Sequence, residues 1–221
     1  MLTSIRSLPL FDNISRWFKT TKPQSQRWIV LDVETTGLNP YSDRLLAIAA
    51  VAVEVSADFR RISILIGDSY EAVLKQDLPS NKDNILIHHI GAQAQSEGRP
   101  PVEALEEFRQ WADNCPLLAF HAPFDEAMIN RAYSLFSLKG LQNEWLDIEP
   151  LAKITGVNPS LRSLDDWLGY FGIKCTFRHQ AAADTFATAE LLMRLWPYFT
   201  KEANSWASLR RIARQANWIP R

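Results

Sequence analysis

The hydrophobic period of this chain changes at Pro100-Pro101, from two residues to 3.6. Upstream of that point, residues 28–35, 45–55 and 60–66 are rich in Ile and Val and separated by turn-like segments, so they read as three consecutive strands. Strands in series predict an antiparallel meander. Downstream, Val102, Leu105, Phe108 and Ala112 line one helix face, 117–120 reads as a short buried strand, and Phe124, Ala127, Met128, Ala132 and Leu135 mark a second helix. Residues 144–147 supply a last short strand. Leu164, Trp167, Leu168 and Phe171 fall at i, i+3, i+4 and i+7 of a third helix that stops at Gly172. Residues 181–198 are apolar nearly all round, as a helix buried against a sheet must be, and 202–217 form a closing helix. The expected fold class is therefore α/β, a mixed sheet with antiparallel first three strands and flanking helices. Residues 67–98 read as irregular apart from a helical piece at 82–88.

The chain has 221 residues, 47% hydrophobic and 22% charged, which predicts one globular domain with extensions. The expected division is an N-terminal extension and linker at 1–26, a main domain at 27–200 and a helical tail at 201–221. The longest apolar run, 45–53, is half of the roughly 18 residues that a membrane-spanning helix needs. Arg6, Pro9, Asp12 and Arg16 interrupt the apolar stretch of any secretory signal, so a cytoplasmic location is expected. Cys115 and Cys175 lack metal-ligand spacing and read as reduced core thiols. The net charge of −1 argues against a protein that grips nucleic acid through a basic face. It leaves open an enzyme that meets phosphates through bound cations.

Three segments carry chemistry. In Val30-Leu31-Asp32-Val33-Glu34-Thr35-Thr36-Gly37, strand alternation points Asp32 and Glu34 to one face, roughly 7 Å apart by strand rise. A solvent-facing strand end is the other reading of that pair. In Phe120-His121-Ala122-Pro123-Phe124-Asp125 a buried strand gives way to a helix, and Asp125 sits in the first turn, where the helix dipole favours a carboxylate whatever its role. The carboxyl end of a sheet strand is also where α/β proteins gather active residues. In His179-Gln-Ala-Ala-Ala-Asp184, the acid enters an apolar helix, where a charge is costly unless paired or metal-bound. Five helical residues turn the chain by about 500°, so His179 and Asp184 reach one site only if His179 lies in the preceding loop. A histidine there suits a general base, or satisfies a backbone carbonyl. Four carboxylates on three segments converge only if cations hold them, and a pair of divalent ions is the standard device for in-line displacement at a phosphodiester.

With these motifs the chain resembles the DEDD family of 3′→5′ exonucleases, which includes the proofreading (epsilon) subunit of bacterial DNA polymerase and ribonuclease T. Asp32-Val-Glu34-Thr-Thr-Gly37 corresponds to the first motif, Phe124-Asp125 to the second, and His179 with Asp184 five residues on to the third, in the histidine (DEDDh) branch. Ile87-His88-His89-Ile90-Gly91 resembles the family's His-Gly-Ile element, with His89 where glycine is usual, and Phe120-His121 stands where many members have His-Asn. The resemblance implies a ribonuclease H-like fold, two Mg²⁺ or Mn²⁺ ions and release of nucleoside 5′-monophosphates from single-stranded or frayed DNA 3′ ends. It implies that Asp32, Glu34 and Asp184 hold the catalytic metal, that Asp125 orders the shell of the second ion, and that His179 accepts the proton of the attacking water. Thr35, Thr36 and Gly37 would receive the terminal nucleotide, and Leu38 and Phe124 would wedge its base; a core position is the other reading of Phe124. Rival functions are a ribonuclease trimming RNA 3′ ends and a non-catalytic polymerase accessory domain, the latter disfavoured by retention of all four acids and the histidine.

Weaker features remain. Trp111, Trp167 and Trp196 follow the helix core pattern, and Arg210, Arg211 and Arg214 read as a solvated helix face before a DNA-steering one. Ser7-Leu8-Pro9-Leu10-Phe11 resembles the short peptides that dock on the bacterial sliding clamp, without their leading glutamine, which makes a clamp or DNA polymerase a candidate partner; packing on the protein's own surface is the other reading. Two bound divalent ions would carry the formal charge from −1 to about +3, concentrated at the scissile phosphate.

Overall fold

The computed structural model describes residues 24–175 and 178–216. The clamp-like peptide at 7–11 lies outside them. Strands β1 (Gln26–Thr35), β2 (Leu45–Val55) and β3 (Ile62–Val73) form the antiparallel meander, and β4 (Leu117–Ala119) and β5 (Trp145–Asp147) continue the sheet in parallel beside β1, giving the order β3-β2-β1-β4-β5. Parallel neighbours need crossovers. The first contains α1 (Lys82–His88), α2 (Ala92–Ser96) and α3 (Pro101–Ala112), and the second is α4 (Ala122–Leu135).

Alternation along β1 divides the core in two. Ile29, Leu31 and Val33 pack with α3 and α4 on one face, while Trp28 and Val30 pack on the other with α5 (Ile148–Ile154), α6 (Leu164–Phe171), α7 (Ala181–Phe199) and α8 (Trp206–Ala216). Both faces are covered, which is why β2 is almost continuously apolar and buried. Asp32 and Glu34 share the parity of Trp28 and Val30, so they point to the α7 side. The Thr185 hydroxyl donates to the Ala49 carbonyl at 3.1 Å, and Ala49 is the register partner of Asp32. This bond pins the first turn of α7 over the acidic end of β1.

Four elements differ from the sequence expectation, one of them α2, which falls in the stretch read as irregular. β3 runs through Gly67 to Val73 because the pairing jumps from Ala52↔Leu65 to Val51↔Ser69, and Ile66, Gly67 and Asp68 bulge out together. A turn-like Gly-Asp pair thus sits inside a strand. α5 was not expected; Pro150 lies at its third residue, where a backbone N–H would lack an intrahelical partner in any case, so the proline does not break it. The closing helix starts at Trp206 rather than 202, and it belongs to the core: Leu209, Ile212 and Ala213 are buried, and the Trp206 ring meets Trp28 edge-on at 4.8 Å. Trp167 and Trp196 are buried as expected, whereas Trp111 is half-buried beneath the Arg27 guanidinium, 4.6 Å from its ring. Among the described residues no helix is long and apolar enough to cross a membrane.

Candidate active site

The register between β1 and β2 shifts between Glu34 and Thr35, so the ladder is broken just where the acids end. Gly37 follows in the β1–β2 loop. A Cβ there would lie 2.5 Å from Asp43 Oδ2, so a larger residue would push the Asp43 carboxylate from its place. The Asp43 carboxylate holds the loop by accepting from the Asn39 amide at 2.8 Å and from the Thr36 hydroxyl at 3.1 Å. The Thr36 amide donates to the Arg44 carbonyl and the Thr35 hydroxyl to the Gly37 carbonyl, so these donors already serve the turn itself. Leu38, beyond it, is 86% exposed at the rim, next to an equally exposed Tyr41. Phe124 is half-buried against the α3/α4 core cluster.

Asp32, Glu34 and Asp184 each offer a carboxylate oxygen within 4.8 Å of the others. Burial pushes the Asp32 carboxyl up to about 8, with the nearby Asp184 charge adding to it. The same causes, with Asp32 itself, push Glu34 up to about 9. Asp125, buried in the first turn of α4, is not one of these three but lies near enough for its carboxyl to feel the Asp32 charge. β4 pairs with β1 only at Ile29 and Val30; beyond that pairing the Val33 backbone is close enough to Asp125 to favour its charged form slightly. Burial raises the Asp125 carboxyl well above its ordinary range, and the Asp32 charge raises it further. Carboxylates so placed favour protons or cations over free charge, and an all-oxygen donor set suits hard divalent ions. The residues present therefore fit a divalent metal centre.

His179 lies in the loop before α7, as the helical rotation required, with a left-handed φ of 61°. Its backbone N–H donates to Asp184 Oδ2 at 3.0 Å, and its side chain is exposed. Sequence reasoning missed several neighbours. The Arg178 guanidinium pairs with Asp184 and with Asp165 at the start of α6, supplying the positive charge that partly offsets the acids. The Cys175 thiol lies 3.4 Å from Asp184 Oδ1, and Cys115 contacts Arg27, so both cysteines pack at the edge of the core clusters, half-buried and each beside a charged group. Asp147 caps α5, accepts from the His121 amide at 3.0 Å, and adds its field to Asp125. An arginine adjoining the third motif was the one visible signal among these; the others depend on tertiary contacts.

A mixed ribonuclease H-like sheet with acids converging at the carboxyl end of its central strand is the architecture of a nuclease. The exonuclease family model of RNase T type matches residues 29–192, and the chain belongs to that family. It is 28% identical over 173 residues to the PolC-type DNA polymerase III of Bacillus subtilis, covering 78% of this chain and 12% of that protein. It is 30% identical over 173 residues to a DNA polymerase III subunit epsilon-like protein of Rhodobacter capsulatus, covering 77% of this chain and 24% of that one. The chain thus spans a quarter or less of these relatives. The fold is shared with exonuclease X in complex with 5′ overhanging duplex DNA, at a TM-score of 0.61 and 17% identity, covering 84% of this chain and 99% of that one.

Proposed function

We propose that the protein is a DEDDh-type 3′→5′ exonuclease that releases nucleoside 5′-monophosphates from single-stranded or frayed DNA ends. The observation that carries this is the meeting of Asp32, Glu34 and Asp184 within 4.8 Å, with Asp125 against Asp32 and His179 on the loop entering the same helix. Two divalent ions held by the four acids would polarise the scissile phosphate and offset charge on the leaving oxygen. The chain's own groups do the rest. Asp184 accepts the His179 backbone N–H, which ties the loop carrying this exposed histidine to the acid, and the imidazole would take a proton from the attacking water. Thr35, Thr36 and Gly37 form a turn made rigid by Asp43, against which the terminal nucleotide rests, and Leu38 projects from it as an apolar edge for the base.

The polymerase relatives and the exonuclease bound to overhanging duplex support DNA as substrate. A comparison of 5′-labelled DNA and RNA oligonucleotides of one sequence, single-stranded and blunt-paired, in Mg²⁺ or EDTA, tests the reading. A ladder shortening from the 3′ end of single-stranded DNA, lost in EDTA, is the expected result. Cleavage that persists in EDTA, or RNA shortened in preference to DNA, overturns it.

A further inference from the structure

We propose that His88 and Asn84 form a positioning relay that fixes the Thr35 end of β1, and with it the seat of the terminal nucleotide. The proposal rests on the exonuclease reading of the site and assigns a role to residues outside its acids and base.

The relay is a directed chain of hydrogen bonds. Asn84 Nδ2 donates to the Thr35 carbonyl at 3.0 Å, on the residue where the β1–β2 register shifts. Asn84 Oδ1 lies 2.8 Å from His88 Nε2, and the Ile90 amide donates to His88 Nδ1 at 2.9 Å. A nitrogen that accepts from an amide carries no proton, so the ring proton sits on Nε2 and is donated to Asn84. That donation orients the Asn84 carboxamide, with its oxygen to His88 and its nitrogen to Thr35. His89 ends α1 with a left-handed φ of 58°, and this turn brings the Ile90 amide back onto the ring.

The remaining polar groups under α1 are satisfied. Ser80 Oγ lies 3.2 Å from His88 Nε2 and accepts from Gln95 Nε2 at 2.9 Å, while Gln95 Oε1 accepts from the Ser80 amide at 2.7 Å. His88 and Gln95 are fully buried. By contrast α1 has almost no apolar anchor: His88 is its one buried residue, and Leu86 and Ile87 face solvent at 71% and 54% exposure. The position of α1 over the Thr35 turn is therefore set by directional bonds, which fix an angle, rather than by apolar burial, which does not.

Asn84→Ala and His88→Leu break the relay at different links. His88→Gln preserves it, because a carboxamide offers one acceptor to Ile90 and one donor to Asn84. With single-stranded DNA in Mg²⁺, the two breaking variants should raise KM about tenfold, the loss of one oriented hydrogen bond, with kcat within about threefold. His88→Gln should recover most of that loss. Amide hydrogen exchange over residues 35–38, read without substrate, should quicken in Asn84→Ala and His88→Leu and stay near wild type in His88→Gln. Unchanged exchange and KM in Asn84→Ala, or equal losses in His88→Gln and His88→Leu, overturn the relay. A wild-type protein that does not cleave would instead overturn the exonuclease reading, and the exchange measurement would still decide the relay.

Discussion

At the scale of single residues, burial and mutual repulsion keep Asp32 and Glu34 protonated up to about 8 and 9, whereas unfolded carboxyls titrate near 4. Between those values the folded chain binds more protons than the unfolded one, so this contribution to stability declines as pH rises and levels off above the folded values. His88, which burial holds below its ordinary value, acts in the opposite sense only at pH below about 6.5. From pH 6.5 to 9 in EDTA, the Tm should therefore fall. Mg²⁺ should restore most of the loss at the alkaline end, and the double variant Asp32→Asn, Glu34→Gln should flatten the slope. A Tm that climbs with pH over that range, measured by calorimetry in EDTA, contradicts the assignment. Three of the four acids were legible in the sequence because they break a local rule: two carboxylates on one face of a buried strand, and one at the start of an apolar helix; Asp125 breaks none, since the first turn of a helix favours a carboxylate. Arg178 and His88 break no such rule, and their partners are visible only in three dimensions.

At the scale of elements, the clearest hydrophobic periodicities mark helices that form, and the misses lie where tertiary contacts override local signals. β3 absorbs Gly67 and Asp68 in a bulge because Asp68 is held there by Arg27 at 2.6 Å and by the Trp111 indole at 2.9 Å. Local turn chemistry alone reads as a strand end. α6 shows the reverse case, a helix whose ends are written in its sequence: Ser163 and Asp166 form a capping box, and Gly172 closes the helix with a φ of 66°. Its Trp167 is wholly buried, and the indole N–H has no hydrogen-bond partner among the described residues. Removing an unsatisfied donor sacrifices no bond. Trp167→Phe should therefore stay within about 1.5 kcal/mol of wild type in urea unfolding, while Trp167→Ala should lose about 3–5 kcal/mol through its cavity. Equal losses in the two variants would show that the N–H has a partner after all.

At the scale of the whole molecule, the near-neutral charge and the acid-rich cleft have one explanation. A face built to bind phosphates directly would be basic; this chain instead gathers carboxylates that can engage phosphate only through cations. Arg210 pairs with Glu144, and α8 is packed into the core, so its arginines are part of a structural helix as well as a charged face. The sheet supplies the geometry: β1 carries two acids past the end of its pairing with β4, α4 brings the third, and α7, pinned by Thr185 to the residue opposite Asp32, brings the fourth. The most direct test is release of mononucleotides from 3′-labelled single-stranded DNA in Mg²⁺ by Asp32→Asn protein beside wild type, with Tm in EDTA as the control for folding. Loss of a ligand shared by the centre should cost more than the roughly 100-fold typical of an outer-shell partner, with Tm at pH 8 equal to or above wild type. Wild-type rates from a folded Asp32→Asn protein would contradict the account.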